Sequence, residues 1–164
     1  MNRTSDATPA ERPIERWFAH YSDDHRNATN QWIHVVCVPL ILWSVIALLW
    51  SIPVPGTLFG PGAWAALSMF LAWMFYYRHS RSLGMGMLLV FVVLSWSLRW
   101  LHLELGGAGL AKLALAVFVL AWIGQFVGHK IEGRKPSFLT DLTYLLIGPI
   151  WVLNKLYRKL DWKY

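Results

Sequence analysis

Four stretches of the chain, 35–52, 59–77, 83–101 and 109–127, are almost wholly apolar. Each approaches the ~20 residues that a helix needs to cross the hydrocarbon core of a bilayer. The breaks between them carry turn chemistry: Pro53-Val54-Pro55-Gly56, then Arg78-His79-Ser80-Arg81, then Gly106-Gly107. Breaks this short make consecutive helices antiparallel neighbours, so the pattern predicts an all-α membrane protein of four transmembrane helices arranged as two antiparallel hairpins. Composition agrees. Of the 164 residues 56% are hydrophobic and 15% charged, with a mean hydropathy of +0.40. A soluble domain of that length has too little interior to hide so much apolar surface. Eleven tryptophans suit an interface where the ring is apolar and the N–H stays wet.

A fifth apolar stretch, 142–153, is too short to span; it contains Gly148-Pro149 and runs into Asn154-Lys155-Leu156-Tyr157-Arg158-Lys159. It reads as a C-terminal re-entrant or interfacial helix over 142–156, with one further span from Leu139 as the alternative. The whole chain is one membrane domain, with residues 1–13 expected as a flexible tail. Its first 33 residues are polar and hold no signal-peptide pattern, so they read as a cytoplasmic lead-in. Thirteen of the fifteen Lys and Arg fall on one side of a four-span arrangement, leaving Arg99 and Lys112 on the other. By the positive-inside rule both termini are cytoplasmic. The net charge of +6 then reflects topology and anionic headgroups, and calls for no nucleic acid. A bacterial inner membrane is the expected location.

The lone Cys37 excludes an internal disulfide and sits in an apolar run as a small packing residue. Ionisable groups beside a span are expensive and need a reason. Five of the six histidines (His20, His25, His34, His79 and His129) fall at the basic end of the predicted spans, and His102 at the other. On one continuous helix, His25 would lie about 140° from His20 and 180° from His34. For His25 and His34 to meet, the helix must break between them, and Ser22-Asp23-Asp24 is a suitable place. Gln125, His129 and Glu132 occupy i, i+4 and i+7, one helical stripe ending before Pro136, with Gly128 leaving room beside His129. His79, between Arg78 and Arg81, reads as a headgroup contact; His102 and Glu104 read as far-side surface. Imidazoles from two helix ends at one membrane depth suit Fe, Zn, Cu or Ni, and open positions suit non-haem Fe(II). No cysteine pair, phosphate loop or Gly-x-Ser-x-Gly elbow competes with that reading.

At these residues the chain resembles a known family. His25-Arg26-Asn27-Ala28-Thr29-Asn30-Gln31-Trp32-Ile33-His34 before Pro39 is similar to its N-terminal signature. Gln125-Phe126-Val127-Gly128-His129, with Glu132, Pro136 and Leu145-Leu146-Ile147-Gly148-Pro149-Ile150-Trp151, is similar to its C-terminal one. The family comprises small membrane proteins long described as a domain of unknown function, and includes the 2-hydroxy fatty acid dioxygenase of yeast α-oxidation. The resemblance covers residues 14–156, in the middle by hydropathy alone. It implies an Fe(II)-dependent enzyme that takes a 2-hydroxy fatty acid and O2, removes the carboxyl carbon and leaves an acid one carbon shorter. It further implies His25, His34 and His129 as iron ligands; Glu132 is a weaker candidate, and so is His20, which lies outside the family's core pattern. Asn30 and Gln125 would support the ligands or orient the substrate, and Lys130, Arg134 or Lys135 would pair with the carboxylate. The acyl tail would lie in membrane lipid or between the spans. Two other readings stay open: a non-enzymatic membrane module that binds lipid or assists assembly, and a haem electron carrier with His34 and His129 as axial ligands.

Overall fold

The computed structural model describes residues 12–56, 59–135 and 143–162. The tail before residue 12, Pro136, Leu139 and the first residue of the 142–156 segment lie outside them. Among the described residues the fold is entirely helical: α1 (Pro13–Asp23), α2 (Ala28–Ser51), α3 (Ala63–His79), α4 (Arg81–Glu132) and α5 (Tyr144–Lys159). Two of these, α2 and α4, are long and apolar enough to cross a membrane.

The break between α1 and α2 falls where the sequence places it. Asn27 caps α2, its Oδ1 accepting from the N–H groups of Thr29 at 2.9 Å and Asn30 at 3.3 Å. His25 and Arg26 are left in the connection between the two helices.

The third and fourth apolar stretches, by contrast, share the 52-residue α4 instead of flanking a loop. Its only non-helical residue is Gly106, at φ 68° and ψ 172°, a region essentially closed to residues with a Cβ. Contacts on either side show that the helix folds back there. Gly86 lies against Leu153 and Tyr157 of α5, Gly148 of α5 against Val38 of α2, and Gly128 against Asn30 of α2. A straight helix would hold Gly86 and Gly128 ~63 Å apart, far beyond what that short chain of contacts can bridge. The two arms of α4 therefore run antiparallel, with Gly107 near Ser51 at the opposite end of α2.

Close packing of α2 on the second arm depends on Gly124 and Gly128. A Cβ on Gly124 would stand 2.7 Å from Cys37 Sγ, and one on Gly128 would collide with Asn30 Oδ1. This is a small-xxx-small seam of the kind that lets membrane helices approach backbone to backbone. The central core is built from buried residues of α2, α3 and α4, among them Ile46, Met69, Tyr76, Phe91, Leu98 and Leu110. Outward faces stay apolar on every arm: Val36, Leu71, Leu89, Val93, Leu120 and Ile123 are all more than half exposed.

Helices α1 and α5 form a layer across one end. Ile14, Phe18 and Tyr21 point inward from α1 at i, i+4 and i+7. Trp17 stacks on Phe75 of α3 and packs against His79, whose Nδ1 bonds the Phe75 carbonyl at 2.7 Å. That leaves His79 a packing role in this layer.

Candidate metal centre and apolar cavity

His25, His34 and His129 converge, with one potential ligand atom from each lying within 4.8 Å of the others. All three side chains are buried. Their ring centroids stand 4.1 Å (25–34), 4.9 Å (34–129) and 5.1 Å (25–129) apart.

Local hydrogen bonds fix the tautomers of two of them. His25 Nδ1 lies 2.5 Å from the carbonyl of Tyr21, and His34 Nδ1 lies 3.0 Å from the carbonyl of Asn30. A carbonyl only accepts, so each Nδ1 carries the proton and each Nε2 presents a lone pair. Those two Nε2 atoms stand 2.9 Å apart. Two facing lone pairs at that distance repel unless a cation draws both. Neighbouring ligands at right angles around a metal, with metal–nitrogen bonds of ~2.1 Å, stand ~3.0 Å apart. His129 adds a buried Nδ1 with no hydrogen-bond partner. Three converging imidazoles, two of them locked by backbone carbonyls, fit a first-row metal ion, and the protonated Nδ1 atoms of His25 and His34 supply the outer hydrogen bonds that such ligands use.

Burial lowers the pKa of His25 from its ordinary value. The Tyr21 carbonyl and the charges of Asp24 and Glu132 oppose that shift without cancelling it. His25 is therefore neutral, the form that binds metal, at physiological pH. Its ring stacks on Tyr21 at 4.2 Å.

Among the remaining sequence candidates, Gln125 has its side chain within hydrogen-bonding reach of His34, and the others are placed apart from these nitrogens. Glu132 is a brace: its carboxylate accepts from Arg26 N–H at 2.9 Å, Asn27 N–H at 2.9 Å and Asn30 Nδ2 at 2.9 Å. It ties the end of α4 to the start of α2, where a negative charge is favoured. His20 is exposed, with Nδ1 2.9 Å from the Tyr144 hydroxyl. Asn30 reaches the centre through its backbone, by holding His34. Gln125 is 5% exposed and faces the cavity described below. Lys130 and Lys135 are exposed, and Arg134 pairs with Asp24 at 3.1 Å; none of the three lines the cavity. Far from the centre, His102 lies beside Gly107, with a buried Nδ1 lacking a partner.

A cavity of about 380 Å³ opens from the histidines. One wall is an α2 stripe, His34, Val38, Ile41 and Val45; the other is an α4 stripe, His129, Gln125, Trp122 and Phe118. Both run i, i+4, i+7, i+11 away from the centre in residue spacing, so the two walls stay level. The first turns of α5, including Leu146 and Pro149, close a third side. Among the described residues, no Lys or Arg lines it. The sequence reading missed Tyr21 and the α5 contribution, although the matched periodicity of the two stripes was legible.

Helix α5 also clamps the His25 connection. Trp151 Nε1 donates to Ser22 Oγ at 3.0 Å. Lys155 Nζ donates to Gln31 Oε1 at 2.6 Å, and Gln31 Nε2 donates to the His25 carbonyl at 2.7 Å.

The chain is 28% identical over 144 residues to the 2-hydroxy-palmitic acid dioxygenase MPO1 of Saccharomyces cerevisiae, covering 85% of this chain and 77% of that protein. No solved structure matches the chain. The family model described as 2-hydroxy-palmitic acid dioxygenase Mpo1-like matches residues 12–160, and the chain belongs to that family.

Proposed function

We propose that the protein is an integral membrane Fe(II)-dependent dioxygenase that takes a 2-hydroxy fatty acid and O2 and yields an acid one carbon shorter. The observation that carries this reading is the opening of an apolar cavity directly from three converging imidazoles. His25, His34 and His129 would hold the iron, which when bound supplies the activation of O2 at open coordination positions. The reaction RCH(OH)COOH + O2 → RCOOH + CO2 + H2O balances as written. Four electrons pass from the two reacting carbons to O2, so no external reductant is needed.

The chain's own residues account for the rest. Tyr21 and Asn30 carbonyls lock the imidazoles, and Glu132 holds the two helix ends that bear His34 and His129 in register. The stripes from His34 to Val45 and from His129 to Phe118 each run ~16 Å, the length of roughly a dozen methylene groups. They hold the acyl tail and keep bulk water from the reacting carbons. None of the described residues that line the cavity is Lys or Arg, so the counter-charge for the substrate carboxylate would be the cation that the three histidines hold.

In this reading the second and third helices and the two arms of α4 form four spans. Apolar outward faces on every arm support it, as does the concentration of basic residues at the histidine end. The site then faces the cytoplasm, within reach of acids partitioned into membrane lipid. Three imidazoles gathered around one point, two of them with Nε2 atoms 2.9 Å apart, leave no flat slot for a porphyrin.

Oxygen uptake by detergent-purified, Fe(II)-loaded protein given 2-hydroxypalmitate tests the proposal, with His129→Ala alongside. Uptake that requires the 2-hydroxyl and His129 and gives a C15 acid is the expected result. Bound iron without uptake would point to another substrate. Absence of both would favour a non-enzymatic membrane module, and a Soret band in the purified protein would favour haem.

A further inference from the structure

Below the histidines the α4 wall carries two polar groups, the Gln125 amide and the Trp122 indole N–H, and the amide lies nearer the histidines. Gln125 is 5% exposed; its side chain lies within hydrogen-bonding reach of His34, while its Nε2 has no hydrogen-bond partner. A buried amide donor left unpaired is costly, and such groups in a ligand cavity are matched by the ligand. Its level matters. Gln125 precedes His129 by four residues, one helical turn deeper into the cavity, with Trp122 and Phe118 beyond it. The opposite wall at that level is Val38, an apolar residue. The two hydroxyl groups on the lining, those of Tyr21 and Tyr144, lie elsewhere. Tyr21 Oη is against α5, where a Cβ on Gly148 would stand 3.2 Å from it, and Tyr144 Oη is 2.9 Å from His20 Nδ1.

We infer that Gln125 reads the 2-hydroxyl of the substrate, donating Nε2–H to the C2 oxygen, and is the residue that selects 2-hydroxy acids over unsubstituted ones. This rests on the fatty acid reading of the site. The carboxylate would be drawn to a cation held by the histidines, since none of the described residues that line the cavity is Lys or Arg. The next polar atom along the molecule is the oxygen on C2, which enters at the level of Gln125, and every later carbon meets Trp122, Phe118 and the α2 stripe. An unsubstituted acid would seal the cavity with its tail and leave the amide unpaired. A site built to bond a hydroxyl discriminates strongly against the analogue that lacks it.

Anaerobic equilibrium binding of radiolabelled 2-hydroxypalmitate and palmitate to the Fe(II)-loaded full chain tests this, in wild type, Gln125→Leu and Gln125→Met. The wild type is expected to prefer the hydroxy acid by ~10-fold or more. Both variants should bind palmitate as tightly as wild type or tighter, keep their iron, and lose most of the preference through weaker binding of the hydroxy acid. A role confined to packing or to supporting the metal would lower both affinities together and overturn the inference. So would a variant that keeps its iron and its full preference, since the metal alone would then read the hydroxyl. A wild type that binds both acids equally overturns the inference but not the fatty acid reading; one that binds neither overturns both. If Gln125→Leu does not fold, Gln125→Met, which keeps the length of the side chain, carries the test.

Discussion

At the scale of single residues, histidine is the versatile group here and the backbone decides its role. His25, His34 and His79 each bond a carbonyl four residues back through Nδ1, yet only the first two present Nε2 to a shared point. His79 spends its ring on Trp17 and Phe75. Glu132 shows the same dependence on surroundings. Spacing makes it a ligand candidate, but three nearby N–H donors from Arg26, Asn27 and Asn30 capture its carboxylate. Glu132→Gln is therefore expected to retain metal stoichiometry while lowering stability by ~1–2 kcal/mol, because a charged cap on α2 is weakened. Metal analysis beside thermal unfolding checks this; loss of metal from a folded variant would make Glu132 a ligand.

At the scale of elements, the site depends on how closely α2 and the second arm of α4 approach. Gly124 and Gly128 set that distance, and Asn30, which holds His34, occupies the space a side chain at 128 would need. Gly128→Ala should displace Asn30, cost ~1–3 kcal/mol and loosen His34. Metal affinity should then fall 10–100-fold, the usual effect of disturbing a residue that orients a ligand. Gly133→Ala lies at φ 72° with nothing near its Cβ, so it strains only the helix end and should leave metal affinity much closer to wild type. Equal metal loss in both would show that general destabilisation, and not Asn30, is responsible. Helix α5, which reads from the sequence as an interfacial segment, instead supplies a cavity wall and the Trp151 and Lys155 bonds over the His25 connection. Those contacts join positions more than 120 residues apart, and no local pattern announces them.

For the whole molecule, the fold-back at Gly106 brings the last helical turn of α4 beside the start of α2. A four-span arrangement makes a direct prediction about exposure to the two aqueous phases. In a Cys37→Ser background, Lys135→Cys should react with an impermeant thiol reagent only from the cytoplasmic side, and Gly107→Cys only from the other. Labelling of both from one side would replace the four-span reading with another topology. The opposite pattern would keep the spans and invert the protein.

Much of this organisation follows from local pattern. Apolar run length dictates helices, two of them long and apolar enough to cross a membrane. Asn27 and the polar stretch before it dictate the break that frees His25, because a capping side chain competes with helix continuation. The histidine pair and the Gln125–His129–Glu132 stripe are likewise visible as residue types at helical spacing. Which nitrogens meet is a different matter. That depends on the turn at a single glycine, on backbone approach across Gly124 and Gly128, and on the α5 clamp, all of which act between segments far apart in the chain. Sequence periodicity fixes the face a side chain takes on its own helix, while the distance between two helices is set only once both are packed.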